Sequence, residues 1–337
     1  MPITDTLNRP LRDLRISLID RCNFRCPYCM PSEKFHHAYQ FLEKNQWLSF
    51  DEIIRLAKIF VGLGVSKLRL TGGEPLLRPD LDQLVRQLAD IPGVEDLALT
   101  TNGSMLNVWA KRLKEVGLHR LTVSVDTLDE NIFRQMNGEK GSLQEVLAGI
   151  AAAEQAGFDS IKINTVVQRG VNDHTILDLV KYFRNTPHSL RFIEYMDVGN
   201  QNHWDITQVV PSSEIIAMID AKFPLERLSG TQGGDTSEKY RFKDGRGEIG
   251  FVSSVTKAFC GTCNRLRLSA DGKIYTCLFA THGTDIGSHL RAGMNDEFLS
   301  NLIRITWMKR EDRYSEIRSE LRHSDTHPKV EMYQIGG

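Results

Sequence analysis

The sequence predicts an α/β protein: a partial (β/α)6 TIM-like barrel with a C-terminal α+β region that closes its open side. Between residues 14 and 196, six short apolar or β-branched runs alternate with longer stretches of helical period, which is typical of βα units around a parallel sheet. After residue 196 this alternation ends and short strand and turn patterns follow. Six units are two short of a closed barrel, so we expect an open sheet.

The local pattern of apolar residues predicts each element of the barrel. Six runs are predicted as strands: Leu14–Ile19, Lys67–Thr71, Asp96–Thr100, Arg120–Ser124, Ile161–Val167 and Leu190–Tyr195. The stretches of helical spacing between them centre on Ile53–Leu63, Leu81–Ala89, Val108–Val116, Leu143–Ala156 and Thr175–Asn185. We therefore assign residues 1–200 to the barrel and residues 201–337 to the C-terminal region.

The C-terminal region is predicted to begin with a helix and to contain two β-hairpins. Pro211-Ser212-Ser213-Glu214 has the composition of a capped helix start. Two pairs of strand-like runs flank Gly-containing turns, which is typical of hairpins: Lys239–Lys243 with Glu248–Ser253, and Arg265–Ser269 with Lys273–Cys277. Polar helices follow to the end of the chain.

The composition excludes several classes of protein. The chain has 337 residues, 41% hydrophobic and 25% charged, which is ordinary for a folded globular protein. Its 42 Lys and Arg residues nearly balance 43 Asp and Glu residues, so there is no overall positive charge to attract nucleic acid or anionic lipid. The N-terminus lacks a signal-peptide core, and no apolar run reaches the roughly 18 residues of a membrane span. We expect a cytoplasmic protein that binds neither nucleic acid nor membrane.

Three of the six cysteines form a C-x3-C-x2-C loop after the first predicted strand. Cys22, Cys26 and Cys29 therefore lie at the end of the strands where βα barrels keep their chemistry. In a reducing compartment such thiols are metal ligands or catalytic groups rather than disulfides. Three thiolates can bind three irons of a 4Fe-4S cluster and leave the fourth iron open to a small molecule. A structural zinc and unligated thiols remain alternatives.

The remaining cysteines, Cys260, Cys263 and Cys277, have the spacing C-x2-C-x13-C. Two groups of three favour a second cluster with an open iron, although zinc remains an alternative here as well. Arg265 and Arg267 lie just after Cys263 and share one face of a predicted strand, so they can bind one anion together.

Charged and polar residues within the barrel pattern indicate ligands. Arg15, Arg69 and Lys162 lie on predicted strands, where an unpaired charge in a packed interior would be costly, and with the two C-terminal arginines they predict a polyphosphate pocket. Three strands end in polar motifs: Thr71-Gly72-Gly73-Glu74-Pro75, Thr100-Thr101-Asn102-Gly103 and Ser124-Val125-Asp126. The paired glycines let the backbone approach a ligand, whereas capping is the alternative role for the carboxylates.

Together these motifs resemble the radical S-adenosylmethionine (SAM) superfamily and, within it, the GTP 3′,8-cyclase family. The resemblance covers the whole chain, from the first cysteine loop to Gly336 and Gly337. It implies two 4Fe-4S clusters, the first of which binds SAM at its open iron. Further contacts with SAM are implied for Tyr28, Gly73, Ser124, Asp126 and Met196.

The same resemblance implies a reaction. A 5′-deoxyadenosyl radical derived from SAM takes the ribose 3′ hydrogen of GTP, and carbon 3′ then attacks guanine C8 in the first step of molybdenum cofactor biosynthesis. The second cluster would hold the guanine. The residues implied to bind GTP are Arg15, Arg69, Thr100, Lys162, Arg265, Leu266 and Arg267. Gly336 and Gly337 resemble a tail that enters the active site and assists catalysis.

The implied partners are GTP, an electron donor such as a flavodoxin or ferredoxin, and a cyclic pyranopterin monophosphate synthase that receives the product; a homodimer is also allowed for. Two other functions remain open. A twin-cluster radical enzyme that matures peptides would not need arginines converging on phosphates, and a non-catalytic iron–sulfur sensor would not explain the polar strand ends. Dependence of turnover on GTP would distinguish the cyclase from the peptide-maturing enzyme, and cleavage of SAM would distinguish it from the sensor.

Substitutions in the two regions should separate SAM cleavage from GTP binding. Cys22→Ala is expected to abolish SAM cleavage, because the first cluster loses a ligand. Arg265→Ala is expected to keep uncoupled cleavage and to weaken GTP binding, because a phosphate-binding cation is removed. Anaerobic quantification of 5′-deoxyadenosine over a range of GTP concentrations measures both effects. Equal loss of both activities in both variants would contradict this division.

Overall fold

The computed structural model of the chain describes residues 3–228, 234, 236–321 and 329–336. The strands in this part form one mixed sheet. They are β1 (Asp13–Ser17), β2 (Lys67–Thr71), β3 (Asp96–Thr101), β4 (Arg120–Ser124), β5 (Lys162–Val167), β6 (Ser189–Glu194), β7 (Leu225–Arg227), β8 (Glu238–Phe242), β9 (Glu248–Val252), β10 (Arg265–Leu268), β11 (Lys273–Tyr275) and β12 (Thr284–Asp285).

Helices connect most of these strands and complete the chain. They are α1 (Phe50–Gly62), α2 (Leu81–Ala89), α3 (Leu106–Glu115), α4 (Glu130–Asn137), α5 (Leu143–Gln155), α6 (Ile176–Phe183), α7 (Ser212–Asp220), α8 (Gly287–Arg291), α9 (Asp296–Met308), α10 (Tyr314–Leu321) and α11 (Met332–Ile335). Capping boxes start α1 and α5, in which the side chains of Ser49 and Glu52, and of Ser142 and Glu145, exchange hydrogen bonds with the backbone. Within the described ranges, no helix has the length and apolar character needed to cross a membrane.

The sheet is built on parallel pairing. Strands β1 to β6 are neighbours in chain order and run parallel. The C-terminal region adds a parallel strand at each edge, because β10 pairs with β1 and β9 pairs with β6. Antiparallel strands continue beyond these, so β12 and β7 stand at opposite ends of the sheet. The predicted partial, open barrel is confirmed.

Alternation along the strands separates a core face from a ligand-facing side. Leu266, Leu14, Leu68 and Leu97 are in register across β10, β1, β2 and β3, and each is at most 1% exposed. These leucines belong to the main hydrophobic core. The residues directly before and after these leucines on each strand point to the opposite face and are largely polar or charged.

Most predicted elements are confirmed. Strands β2 and β4 have the predicted bounds, the other four barrel strands agree within two residues at each end, and both hairpins form as the antiparallel pairs β8–β9 and β10–β11. The prediction missed α4, a short and mostly polar helix, so two helices connect β4 to β5. It also missed the edge strands β7 and β12, of three and two residues, which are too short to produce a periodic pattern.

The predicted cap of the helix after Pro211 is wrong, although the helix itself forms. No side chain of that segment caps α7. Instead Glu194, at the end of β6, accepts hydrogen bonds from the backbone N–H of Ser212, Val255 and Thr256, each at 2.8 Å. One fully buried carboxylate therefore joins the barrel to two segments of the C-terminal region.

Replacing this carboxylate should destabilise the protein. Glu194→Gln places an NH2 group opposite backbone N–H donors, so at least one buried donor loses its acceptor, at a cost of about 1–3 kcal/mol in the apparent free energy of unfolding. Urea unfolding followed by circular dichroism measures the change. Glu226→Gln on exposed β7 is the matched control and should stay within about 0.5 kcal/mol of the parent. Equal effects of the two substitutions would show that Glu194 does not join these segments.

Candidate functional site

One cavity of about 410 Å³ gathers residues from both ends of the chain. Strands β1 to β6 and β10 line it, together with the loops that follow them. Both cysteine groups face it: Cys22, Cys26 and Cys29 after β1, and Cys260, Cys263 and Cys277 around β10 and β11. All six are free thiols, and all six are partly exposed.

The first cysteine loop is held against the end of β2. Arg25 donates hydrogen bonds to the carbonyl oxygens of Phe35 (2.7 Å), Cys22 (2.7 Å) and Phe24 (2.8 Å), which folds the loop back on itself. Gly73 fits tightly beneath it, because a Cβ at this position would lie 2.3 Å from the carbonyl oxygen of Arg21. Glycine is therefore required where the two loops meet.

Buried carboxylates connect the strand ends on this side of the cavity. Asp126 accepts hydrogen bonds from the hydroxyl of Tyr28 and from the backbone N–H of Val166, both at 2.8 Å, and burial raises its pKa to about 6. Glu74 accepts from the Thr101 hydroxyl (2.7 Å) and the Asn102 N–H (2.8 Å), and burial raises its pKa to about 7. Glu74 also caps the 3-10 turn at Pro75–Leu77, so it has the capping role that the sequence left open.

One thiol of the second cysteine group, Cys263, differs in its electrostatic environment from Cys22 and Cys277. Burial raises the pKa of Cys22 to about 12, with a further contribution from Glu74, and burial together with Asp312 raises that of Cys277 to about 12. Burial also opposes ionisation of Cys263, but the Arg265 and Arg310 guanidiniums outweigh it and lower its pKa to about 6. Metal binding would deprotonate the remaining thiols, since a metal cation favours the thiolate.

A row of arginines lies along the cavity wall, of which Arg267 is buried and Arg15 and Arg69 are half-buried. Arg267, Arg15 and Arg69 are in register on β10, β1 and β2. Burial and the neighbouring Arg267 hold the pKa of Arg15 well below its usual value. Its Nε is buried and has no hydrogen-bond partner among the described residues. Adjacent cations that are buried or half-buried, one with an unfilled donor, fit an anionic ligand with several oxygens.

Neighbouring strands continue this positive region. Arg69 donates to the hydroxyls of Thr100 and Thr122, each at 3.1 Å, which fixes its orientation. On β5, burial and the positive charges of Arg191 and Arg120 lower the pKa of Lys162 to about 7. The wall is therefore positive from β10 to β6.

The donor set fits two iron–sulfur clusters better than zinc. In the described ranges, no three His, Cys, Asp or Glu side chains are placed to bind a single metal ion. Ligands of one zinc must converge to about 2.3 Å from it, whereas the thiolates of a cluster bind different irons and stand further apart. Two groups of three free thiols, each open to the cavity, match the latter arrangement.

Comparisons with known proteins decide the family. Residues 16–183 match the Radical SAM superfamily, and residues 188–316 match Molybdenum Cofactor Synthesis C. A relative from Xanthomonas campestris pv. campestris (strain B100), named GTP 3′,8-cyclase, is 52% identical over 336 residues, covering 100% of this chain and 98% of the relative. One of the same name from Staphylococcus aureus (strain JH9) is 43% identical over 337 residues, with 99% of each covered. The chain belongs to the GTP 3′,8-cyclase family.

Membership of this family confirms the predicted radical SAM enzyme and its class of cofactors, SAM and iron–sulfur clusters. The fold agrees with a solved structure of Streptococcus suis SuiB bound to S-adenosylmethionine, with a TM-score of 0.60 at 14% identity, covering 88% of this chain and 68% of SuiB. At this identity the likeness concerns the fold alone. The roles of individual residues in this GTP 3′,8-cyclase family member remain predictions.

The structure brings most of the predicted site residues to one cavity wall. Those that line it are Arg15, Cys22, Cys26, Tyr28, Cys29, Arg69, Gly73, Thr100, Ser124, Asp126, Lys162, Met196, Cys260, Cys263, Arg265, Arg267 and Cys277. Leu266 differs, because its side chain is fully buried in the core on the opposite face of β10. Gly337 lies outside the described residues.

Sequence reasoning missed four cations that line the cavity: Lys67 on β2, Arg120 on β4, Arg191 on β6 and Arg310 after α9. Asp96 forms an ion pair with Arg120, so that charge is partly neutralised within the protein. Alternation could have found Arg191, because the run Ser189–Glu194 places it between two buried apolar residues on the polar face of the strand.

The C-terminal segment reaches the arginine row. Arg267 donates hydrogen bonds to the carbonyl oxygens of Gly336 and of Ile335. Gly336 has a φ of +72°, which favours glycine, and a Cβ there would lie 2.1 Å from Cγ2 of Thr71. The hydroxyls of Tyr333 and Tyr39 are 2.7 Å apart, which ties the segment to the loop after the first cysteines. Met332 and Tyr333 of this segment line the cavity, whereas Gly336 is not among the lining residues, so the entry of Gly336 into the site stays a prediction.

Adding one methyl group to the tail should impair catalysis. Gly336→Ala is expected to displace the tail, because the new Cβ clashes with Thr71 and the backbone is strained, and product formation should fall by roughly tenfold or more, equivalent to about 1.4 kcal/mol of transition-state stabilisation. Chromatography of reaction mixtures measures the product. Gly170→Ala is the matched control, since Gly170 has a φ of +74° and nothing within 4 Å of a Cβ. Equal activity in the two variants would show that Gly336 has no role in catalysis.

Proposed function

We propose that the chain is a lyase that converts GTP to (8S)-3′,8-cyclo-7,8-dihydroguanosine 5′-triphosphate in the first step of molybdenum cofactor biosynthesis. The observation that carries this proposal is a single cavity lined by both cysteine groups and by the arginine row between them. One group alone would serve SAM cleavage. The second group and the arginines add what a nucleotide triphosphate needs.

The residues that would hold the cofactors are on the cavity wall. Cys22, Cys26 and Cys29 would bind the first 4Fe-4S cluster, and Cys260, Cys263 and Cys277 the second. The SAM contacts would come from Tyr28, Gly73, Ser124, Asp126 and Met196. When bound, the first cluster and SAM supply a 5′-deoxyadenosyl radical able to remove hydrogen from an unactivated C–H bond.

The protein contributes binding, orientation and exclusion of water. Arg15, Arg69 and Arg267 would bind the triphosphate, since their charges lie side by side and Arg15 retains an unfilled Nε donor. Thr100 and Thr122 hold Arg69 in place for this contact. Fixing the triphosphate limits the movement of the ribose, which makes the encounter with the radical effectively intramolecular. GTP bound in the cavity would displace water from around the radical, which reduces side reactions.

A peptide substrate fits this wall less well. It would leave three adjacent arginines, one buried and two half-buried, without a polyanion, and removing uncompensated charge from water is costly. GTP therefore remains the proposed substrate. The reaction needs two electrons from outside: one to cleave SAM, and one, with a proton, to reduce the cyclised nucleotide radical, because the hydrogen removed from carbon 3′ stays in 5′-deoxyadenosine. We propose a flavodoxin or ferredoxin as the donor, and the product would pass to a cyclic pyranopterin monophosphate synthase.

Anaerobic turnover tests the proposed function. The protein is reconstituted with iron and sulfide, and 5′-deoxyadenosine is quantified after addition of SAM and dithionite, with and without GTP. We expect GTP to increase 5′-deoxyadenosine and to yield a cyclised guanosine product. If SAM is cleaved equally without GTP and GTP stays intact, the proposed substrate is wrong. If the cluster-loaded protein does not cleave SAM at all, the proposed radical enzyme activity is wrong.

The affinity for GTP should depend on pH through Lys162. Its pKa of about 7 in the free protein means that it is largely neutral above that pH, whereas a bound triphosphate favours the charged form. Binding above pH 7 must therefore take up a proton, and affinity should fall by up to about tenfold per pH unit. Equilibrium dialysis of GTP between about pH 7.5 and 9 measures this slope while the charge of the triphosphate stays nearly constant. The Lys162→Met variant should bind GTP more weakly, and its affinity should no longer fall as the pH rises. If its affinity falls with pH as in the parent, Lys162 is not the group that takes up the proton.

A further inference from the structure

Arg310 lies beneath the second cysteine loop and is only 4% exposed. Its guanidinium donates a hydrogen bond to the carbonyl oxygen of Cys263 at 2.7 Å through Nη1 and another to the Sγ of the same residue at 3.2 Å through Nη2. Its Nε lies 3.3 Å from the carboxylate of Asp312. The planar guanidinium also lies over the ring of Trp307, 4.6 Å from the ring centroid. Arg310 is therefore held on several sides.

An acidic residue from the N-terminal segment joins Arg310 to a second buried arginine. Asp5 has a fully buried carboxylate that is 2.5 Å from Nε of Arg9 and 3.5 Å from Nη1 of Arg310. Arg9 donates to the carbonyl oxygen of Cys260 at 2.9 Å and to that of Asp312 at 2.8 Å. Two arginines linked by one carboxylate thus contact the carbonyls of Cys260 and Cys263, the two ends of the C-x2-C loop.

The contact with sulfur distinguishes Arg310 from Arg9. Hydrogen bonds to carbonyl oxygens would be enough to hold the loop, and those are the bonds that Arg9 makes. Arg310 adds a charged donor to a thiol that also accepts from Nε and Nη2 of Arg265, at 3.3 and 3.2 Å. Cys22 in the first group accepts instead from neutral amides of Phe24 and Asn102, at 3.4 and 3.8 Å. The sulfurs of Cys263 and Cys22 therefore differ in the charge of the donors around them.

We propose that Arg310 is a positioning residue for the second iron–sulfur cluster, one that fixes the Cys263 ligand and raises the reduction potential of the cluster. This inference rests on the proposed function insofar as Cys260, Cys263 and Cys277 hold that cluster. A reduced cluster carries more negative charge, and positive hydrogen-bond donors to its sulfurs stabilise that state. The same donors withdraw charge from the thiolate, which leaves the iron a stronger acceptor for a substrate atom.

The test isolates the second cluster and measures its potential rather than turnover. In a parent with Cys22, Cys26 and Cys29 replaced by Ser, only the second group can bind a cluster after anaerobic reconstitution. Iron and sulfide per chain are determined, and the midpoint potential is measured by a redox titration followed by electron paramagnetic resonance. Arg310→Met in this parent should lower the midpoint potential, because it removes the charged donor but keeps a side chain of similar length.

Two further variants separate the role of Arg310 from general damage to the fold. Arg310→Lys keeps the charge and loses the planar fork, so its midpoint potential should lie between those of the parent and the Met variant. Arg304→Met removes an exposed arginine from α9, the helix that ends just before Arg310, and should leave both iron content and potential unchanged. If Arg310→Met folds by circular dichroism but loses iron, the positioning role is supported, and the Lys variant then reports the potential.

The outcomes distinguish this inference from the proposed function. If the parent binds a cluster and Arg310→Met matches it in iron content and midpoint potential, Arg310 is not a positioning residue and the inference is overturned. If the parent binds no cluster at all, the proposed role of the second cysteine group fails, and the inference fails with it.

Discussion

The parallel pairing of β10 with β1 is the interaction on which the rest of the site depends. It sets Arg267 beside Arg15, and Arg265 beside Asp13, although about 250 residues separate the two strands in the chain. Through this pairing the loop of Cys260 and Cys263 faces the same cavity as the first cysteine loop. Without it, the chain would have a cofactor site at one end and a separate metal-binding hairpin at the other.

The cavity concentrates positive charge that Asp13 and Asp96 neutralise only in part. Burial lowers the pKa of Arg15, Arg69 and Lys162, which means that the folded protein disfavours their charged forms. Such an arrangement costs stability, and an anionic ligand would offset the cost. The second cysteine loop lies next to this region, with Arg265 and Arg310 on one sulfur, so an anion bound to the arginines would lie close to the second cysteine group.

Local patterns in the sequence predicted much of the fold and of the site, whereas long-range contacts were beyond them. The bounds of β2 and the spacing of both cysteine groups are local, and the cost of an unpaired charge inside a packed barrel singled out Arg15, Arg69 and Lys162, which line the cavity. Periodicity cannot show which distant strands pair, so the addition of β9 and β10 to opposite edges was not predicted. Nor can it find Arg310, whose partners Asp5 and Cys263 lie far away in the chain.

The central claim is that SAM and GTP meet in one cavity between the two cysteine groups. The most direct measurement is turnover with GTP carrying deuterium at ribose carbon 3′, followed by mass spectrometry of the 5′-deoxyadenosine formed. If the two ligands face each other as proposed, the deuterium appears in 5′-deoxyadenosine in step with formation of the cyclised product. 5′-Deoxyadenosine without deuterium, formed while the product accumulates, would contradict the account.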